Sequence, residues 1–242
     1  HPIPRHNPAA NQPIRPMAGT SSNGSGTDNA NGTGGVGGTD GADGDNQGTV
    51  TDNPLKIVES GWSADQQGYV HYAFALRNTS KTQQVQYPQI TITGRAKDGS
   101  IVFSQTQALN MAFPNQTVYD AGQAGEGTAP ETVDFTVLNP DTYNVAKAQG
   151  TAAFPISGIS KIDNRDGGTT FNGEVRAVAD GFKPSDGQQI KISLVLRNAQ
   201  NAIIYGDIAF VDWPGNGRST PFSITVYDLP KYVSYDLYAQ IW

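Results

Sequence analysis

The chain has 242 residues, a formal charge of −6 and no cysteine, which excludes a disulfide scaffold, a thiol nucleophile and thiolate metal sites together. Charged residues make up only 16% and no Lys/Arg cluster occurs, which argues against a phosphate-backbone partner. With 28 Gly, 15 Pro and no apolar run near the roughly 18 residues that span a bilayer, the composition is that of a turn-rich β-protein. The chain opens on His1 rather than Met, and the expectation is a processed product whose targeting segment lies outside this numbering.

Residues 1–53 read as a tail. Pro2, Pro4, Pro8, Pro13 and Pro16 predict a stiff, extended start. From Ala18 to Asn53 the chain is almost entirely Gly, Thr, Asn, Asp and Ser, with no aromatic residue. Such a stretch buries too little surface to offset chain entropy and is expected to be disordered. Asp40-Gly-Ala-Asp43-Gly-Asp45-Asn46 has a superficial likeness to a calcium loop. Its oxygen ligands are misplaced, and Thr51 stands where the bidentate Glu belongs, so no metal is expected.

Residues 54–150 form the first predicted domain. Leu55 to Val58 opens it, and a Gly68 turn leads to a strand in which Val70, Tyr72, Phe74 and Leu76 alternate with His71, Ala73, Ala75 and Arg77. One face is expected in the core and the other wet or lightly covered. Ile90 and Ile92 alternate with Thr91 and Thr93, and Asp98-Gly99 predicts a two-residue hairpin turn into Ile101-Val102-Phe103. Ala121 to Pro130 reads as a Gly-rich loop, and Thr132 to Val137 as a further strand. Residues 151–242 form the second domain, with strands at Ile156 to Ile162, Thr170 to Val178, Gln189 to Leu196, Ala202 to Phe210, Pro221 to Tyr227 and Tyr232 to Trp242. Short strands at regular spacing predict an all-β fold of two tandem immunoglobulin-like antiparallel β-sandwiches.

The halves repeat. Gln89/Gln189, Ile90/Ile190, Ile92/Ile192, Pro114/Pro214, Val133/Val233, Phe135/Tyr235 and Val137/Leu237 each lie 100 residues apart, and Leu76-Arg77 matches Val175-Arg176 at 99. On this alignment Trp213-Pro214 takes the place of Phe113-Pro114, a shared structural corner.

With both halves in view, the chain resembles the FxLYD-type domain of bacterial surface proteins and lipoproteins. The motif region reads Leu194-Val-Leu196-Arg197-Asn198-Ala-Gln-Asn201-Ala-Ile203-Ile204 in the second half and Ile92-Thr-Gly94-Arg95-Ala-Lys-Asp98-Gly99-Ser-Ile101-Val102 in the first. The upstream Gly-Glu-Val-x-Asn pattern looks like Gly173-Glu174-Val175-Arg176, with Ala177 in place of the Asn that Asn78 keeps in the first copy. The literal Phe-x-Leu-Tyr-Asp string occurs in neither copy. The resemblance implies an immunoglobulin-like sandwich on the outer face of a bacterial cell, and it implies no catalytic residues.

The chemistry available is sparse. His1 and His6 lie in the tail, so Ser/His/Asp catalysis would have to use His71, and no Gly-x-Ser-x-Gly elbow exists. His71 is expected as a sheet-surface residue; an Asp or Ser hydrogen-bonded to it in a cleft would overturn the rejection of catalysis. A lone His builds no ordinary zinc site. The four Glu, at 59, 126, 131 and 174, are the material for any carboxylate pair. Trp62, Trp213 and Trp242 are expected in packing rather than in a sugar-stacking platform. Lys56 and Lys191, with nearby Asn and Asp, could form intramolecular isopeptide bonds. No catalytic, cofactor or metal site is assigned, and the ligand-binding residues are unknown. The reading is a non-enzymatic extracellular module, tethered to the cell envelope, that acts as spacer, stalk or interaction domain. Its alternative is a module that binds a glycan or protein through aromatics or a sheet edge; a hydrolase is the remote third.

Overall fold

The computed structural model describes Gly48–Trp242, so the expectations for the Pro-rich start, for the Gly/Asn/Thr stretch as far as residue 47 and for the calcium-like Asp40–Asn46 segment lie outside the described residues. Residues 48–53, expected to be disordered, are instead held by hydrogen bonds, with Thr49 bridging Asp141, Val50 N–H donating to the Pro140 carbonyl and Asn53 Nδ2 to that of Leu138. Nine strands make the first half: β1 (Leu55–Ala64), β2 (Val70–Asn78), β3 (Gln83–Gln86), β4 (Gln89–Arg95), β5 (Ile101–Ala108), β6 (Met111–Ala112), β7 (Thr117–Ala124), β8 (Thr132–Val137) and β9 (Val145–Lys147). Eight make the second: β10 (Thr151–Ala153), β11 (Ile156–Asp163), β12 (Thr169–Arg176), β13 (Val178–Asp180), β14 (Gln189–Arg197), β15 (Ile203–Asp212), β16 (Ser219–Val226) and β17 (Ser234–Ile241). The only helical element among the described residues is a single 3-10 turn, Thr142–Asn144.

The fold is all-β and consists of two antiparallel, immunoglobulin-like sandwiches. In the first, the sheet β1-β2-β7 faces the sheet β5-β4-β8; in the second, β11-β12-β16 faces β15-β14-β17. The strand order is the same in both. Val70, Tyr72, Phe74, Leu76, Ile90, Ile92 and Phe103 fill the first core. Phe171, Val175, Ile190, Ile192, Leu194, Leu196, Phe222 and Ile224 fill the second, which also takes in Met111 and Phe113 from the first half. The chain changes partners between β9, which pairs with β3, and β10, which pairs with β13.

Four further expectations need correction. The stretch taken as a Gly-rich loop from Ala121 begins inside a strand, β7, which pairs with β2 from Arg77↔Thr117 to Val70↔Ala124. Gly122 obscured it, yet it is needed there: a Cβ would lie 2.7 Å from the Tyr72 hydroxyl. Asp98-Gly99 is not a two-residue turn. Gly99 N–H donates to the Ala96 carbonyl and Ala96 N–H to that of Ser100, and only Gly99 is left-handed, at φ +85°. That is a type I turn closed by a left-handed residue and a bulge between Gly94 and Arg95.

The repeat is real, but its offset is not 100. Asn201 (φ 62°) makes the Gly99 turn in the second copy, with bonds from Asn198 to Ala202 and from Asn201 to Asn198. Asn115 (φ 57°) likewise matches Gly217 (φ 76°), and both pairs lie 102 apart. Upstream, Gly68 and Gly167, both at φ +87°, keep the offset of 99. On this frame β7 superposes on β16 and Arg95 on Arg197, while Trp213 no longer takes the place of Phe113. A shift of two residues preserves which side chains face inward, so hydrophobic alternation cannot separate 100 from 102.

Nor is the second face of β2 wet. Ala73 and Ala75 are fully buried, because β15 of the second sandwich lies across β1 and β2. The two sandwiches are therefore stacked sheet on sheet, with Ala73, Ala121, Val195 and Ile203 at the centre of the seam. Small residues permit the close approach. A Cβ on Gly61 would lie 1.8 Å from the Ile203 carbonyl oxygen, and one on Gly206 would lie 2.3 Å from that of Tyr72.

Candidate functional site

The chemistry-bearing side chains of the folded region gather along this seam. At one end, His71 Nε2 lies 2.9 Å from the Asp65 carboxylate, and its ring stacks on Tyr205 of the second sandwich with centroids 4.8 Å apart. They border a cleft of about 300 Å³ lined also by Ser63, Gln67, Tyr227 and Asp228. His71 is thus a seam residue and not an open sheet-surface one, and its Asp partner raises the catalytic question. Burial works to raise the Asp65 carboxyl, but hydrogen bonds from His71 and from the Tyr69 and Gln67 amides outweigh it and hold the group below its usual range. Asp207 is pushed the other way: burial raises it, against the Ile208 amide and the nearby His71.

The His71–Asp65 contact has a counterpart in the repeat. At the offset of 99, Asp65 and His71 correspond to Asn164 and Thr170, and Asn164 Nδ2 donates to Thr170 Oγ1 at 2.8 Å. The backbone turns match too: Gly68 N–H bonds Asp65 O as Gly167 N–H bonds Asn164 O. Both copies use a polar side chain at the turn to clasp the returning strand. Ser63 stands opposite His71 in the β1–β2 register, but its hydroxyl makes no hydrogen bond to the imidazole.

At the other end a charged cluster ties β14 to β1. Arg197 bonds both oxygens of Glu59, donates to Asp236 at 2.7 Å and to the Asn201 carbonyl at 3.0 Å, and is only 6% exposed. Tyr119 donates to Glu59 at 3.0 Å. The Arg197 bonds hold the Glu59 carboxyl below its ordinary value, against the effect of burial, and the Tyr119 hydroxyl is pushed up by burial and by Glu59. Arg95, in the matching place of the first sandwich, keeps only the equivalent of the Asp236 bond, through Nε to Asp134 on the open surface.

Between these ends, Lys191 Nζ meets Asp120 Oδ1 at 2.8 Å with both side chains buried, at 2% and 0% exposure. Gln240 Nε2 donates to the same oxygen at 2.9 Å. Trp242 lies under the ammonium, 4.1 Å from ring centroid to Nζ. Asp120 occupies the position that core Phe222 fills in the second copy, so this pair is absent from the repeat's shared plan.

The remaining singled-out residues are dispersed. Trp62 packs against the first core and Trp213 against Phe154, at 5.7 Å, so the tryptophans form no platform. Lys56 and Glu126, Glu131 and Glu174 are exposed. Among the described residues no group of three or more His, Asp or Glu is placed to hold a metal, and no helix is long and apolar enough to cross a membrane. Asn78, noted only as a motif position, turns out to be fully buried and donates to the carbonyls of Gln83, Ala112 and Phe113, tying β2 to the β3–β6 corner. Comparison with protein-family models and with characterised proteins finds no match for this chain.

Proposed function

We propose that this chain is a non-enzymatic module of a bacterial cell envelope, of the FxLYD-like kind, tethered outside the cell and serving as a rigid spacer or interaction block. The supporting observation is the seam. Buried alanines, two close-approach glycines and the Arg197–Glu59 and Lys191–Asp120 pairs fix one sandwich against the other. Such investment in relative orientation suits a part that holds position, and the sheet-on-sheet stacking favours a block over an elongated stalk. The His71–Asp65 contact has a non-catalytic counterpart in Asn164–Thr170, which favours a clasp over a hydrolase.

A second reading, protein binding by strand addition, draws on β11. It is an edge strand with Ile159 and Ile162 at 48% and 54% exposure, and an open edge is a ready template for a partner strand. The leading reading is tested by treating intact cells of the source with protease, using an antibody against Gly48–Trp242. Loss of the epitope without lysis is expected. Protection until the cells are broken would overturn the envelope assignment.

A further inference from the structure

We propose that Lys191 and Asp120 condense into an isopeptide bond that joins the two sandwiches covalently. Among the described residues this is the one lysine–carboxylate pair with both side chains out of water; the other, Lys161–Asp163, is exposed and 3.5 Å apart. A dry site disfavours the separated charges. Here the rings of Trp242 and, 5.9 Å away, Phe210 cover the ammonium and keep water from it; their faces attract the cation but offer nothing to the carboxylate.

Polar satisfaction points the same way. Asp120 Oδ1 accepts from both Lys191 and Gln240, whereas Asp120 Oδ2 is buried without any hydrogen-bond partner. A bare, buried carboxylate oxygen is expensive to keep. Condensation removes that oxygen and keeps the one that is held.

The step balances without a co-reactant. One proton passes from the Lys191 ammonium to the Asp120 carboxylate along the 2.8 Å contact, and a half-turn of the carboxyl about Cβ–Cγ then puts the protonated oxygen in the Oδ2 place and the bare one in the Oδ1 place before Gln240 Nε2. The amine lone pair then adds to Cγ, and negative charge gathers on Oδ1, where the Gln240 N–H stands as a fixed donor. Collapse breaks the Cγ–Oδ2 bond. Oδ2 leaves as water, carrying two hydrogens that were on Nζ, and a secondary amide remains between Nζ and Cγ. Fixed side chains supply the proximity that makes an unactivated acid and amine react.

The bond would cross the seam at Asp120, the position where the first copy departs from the second, so it would act as a covalent rivet between β7 and β14. The test is the intact mass of the whole folded chain. A mass about 18 Da below that of the sequence is expected, with Lys191→Met at full mass and a branched tryptic peptide linking Lys191 to Asp120. Wild-type protein at full mass overturns the proposal. So does a deficit that persists in Lys191→Met and disappears with hydroxylamine, because Asp-Gly pairs such as Asp98-Gly99 lose the same water by forming a succinimide.

Discussion

Tyr119 of the first sandwich lies flat on Tyr238 of the second, with ring centroids 3.7 Å apart and planes 6° from parallel. Its hydroxyl bonds Glu59, and Glu59 in turn receives Arg197 from the opposite sheet. A stacked pair of this kind contributes about 0.5–1.5 kcal/mol beyond its buried area, and it closes off the ion pair beside it. The stacked rings thus cover the Arg197 side of the ion pair, where the Arg197 side chain is 6% exposed and that of Glu59 28%.

This makes the Arg197–Glu59 pair energetically coupled, unlike the surface pair Arg95–Asp134, whose counterpart in the second sandwich is Arg197–Asp236. In a double-mutant cycle with Arg197→Met and Glu59→Gln, a coupling of about 1–2 kcal/mol is expected from denaturant midpoints. The same cycle at Arg95 and Asp134, whose side chains are 40% and 57% exposed, should give less than about 0.5 kcal/mol. Equal couplings would mean that the seam does not exclude water.

Gly206→Ala places a methyl where the Tyr72 carbonyl already is. Because backbone cannot step aside cheaply, the sheets must part, and a loss of roughly 1–3 kcal/mol in unfolding free energy is expected. Gly99→Ala should cost less. Its Cβ would meet open space, so the expense is confined to the left-handed backbone, about 1 kcal/mol.

Acid should loosen the seam from the Glu59 end. Its folded-state pKa is depressed, chiefly by Arg197, so its contribution is present above the unfolded value of 4.5 and is lost as pH falls through the folded value. The urea midpoint should therefore drop below pH 4.5, and Glu59→Gln should flatten that drop.

Asp207 titrates with the opposite sign. Burial raises its folded pKa above 3.8, so ionisation destabilises the fold and stability is lost as pH rises from the unfolded value through the folded one. Asp207→Asn can still accept from the Ile208 amide. Its Tm should exceed that of the wild type at pH 7 and converge with it below pH 3.8.

The parts of this molecule legible in the sequence are those governed by a period of two. Val70, Tyr72, Phe74 and Leu76 declare their strand and their inward face, and the all-β double sandwich follows from such runs. A period of two says nothing about what covers the other face, so Ala73 and Ala75 gave no warning that a second sheet lies on them. The repeat offset escaped for the same reason, since the turns at Gly99 and Asn201, not the hydrophobic residues, carry the true frame. Lys191 could be picked out, but not its partner, because Asp120 stands in a strand that Gly122 disguised as loop. Arg197 and Glu59, 138 residues apart, had no local signal at all.

The central claim, that the sandwiches form one fixed block, is tested most directly by a distance between them. With no native cysteine to interfere, spin labels can be placed at Ser104 and Ser223, exposed positions on the outer sheets of the two sandwiches. A single narrow distance distribution in double electron–electron resonance is predicted, unchanged from dilute to crowded solution. A broad or multimodal distribution would show that the sandwiches move independently, and would contradict the account.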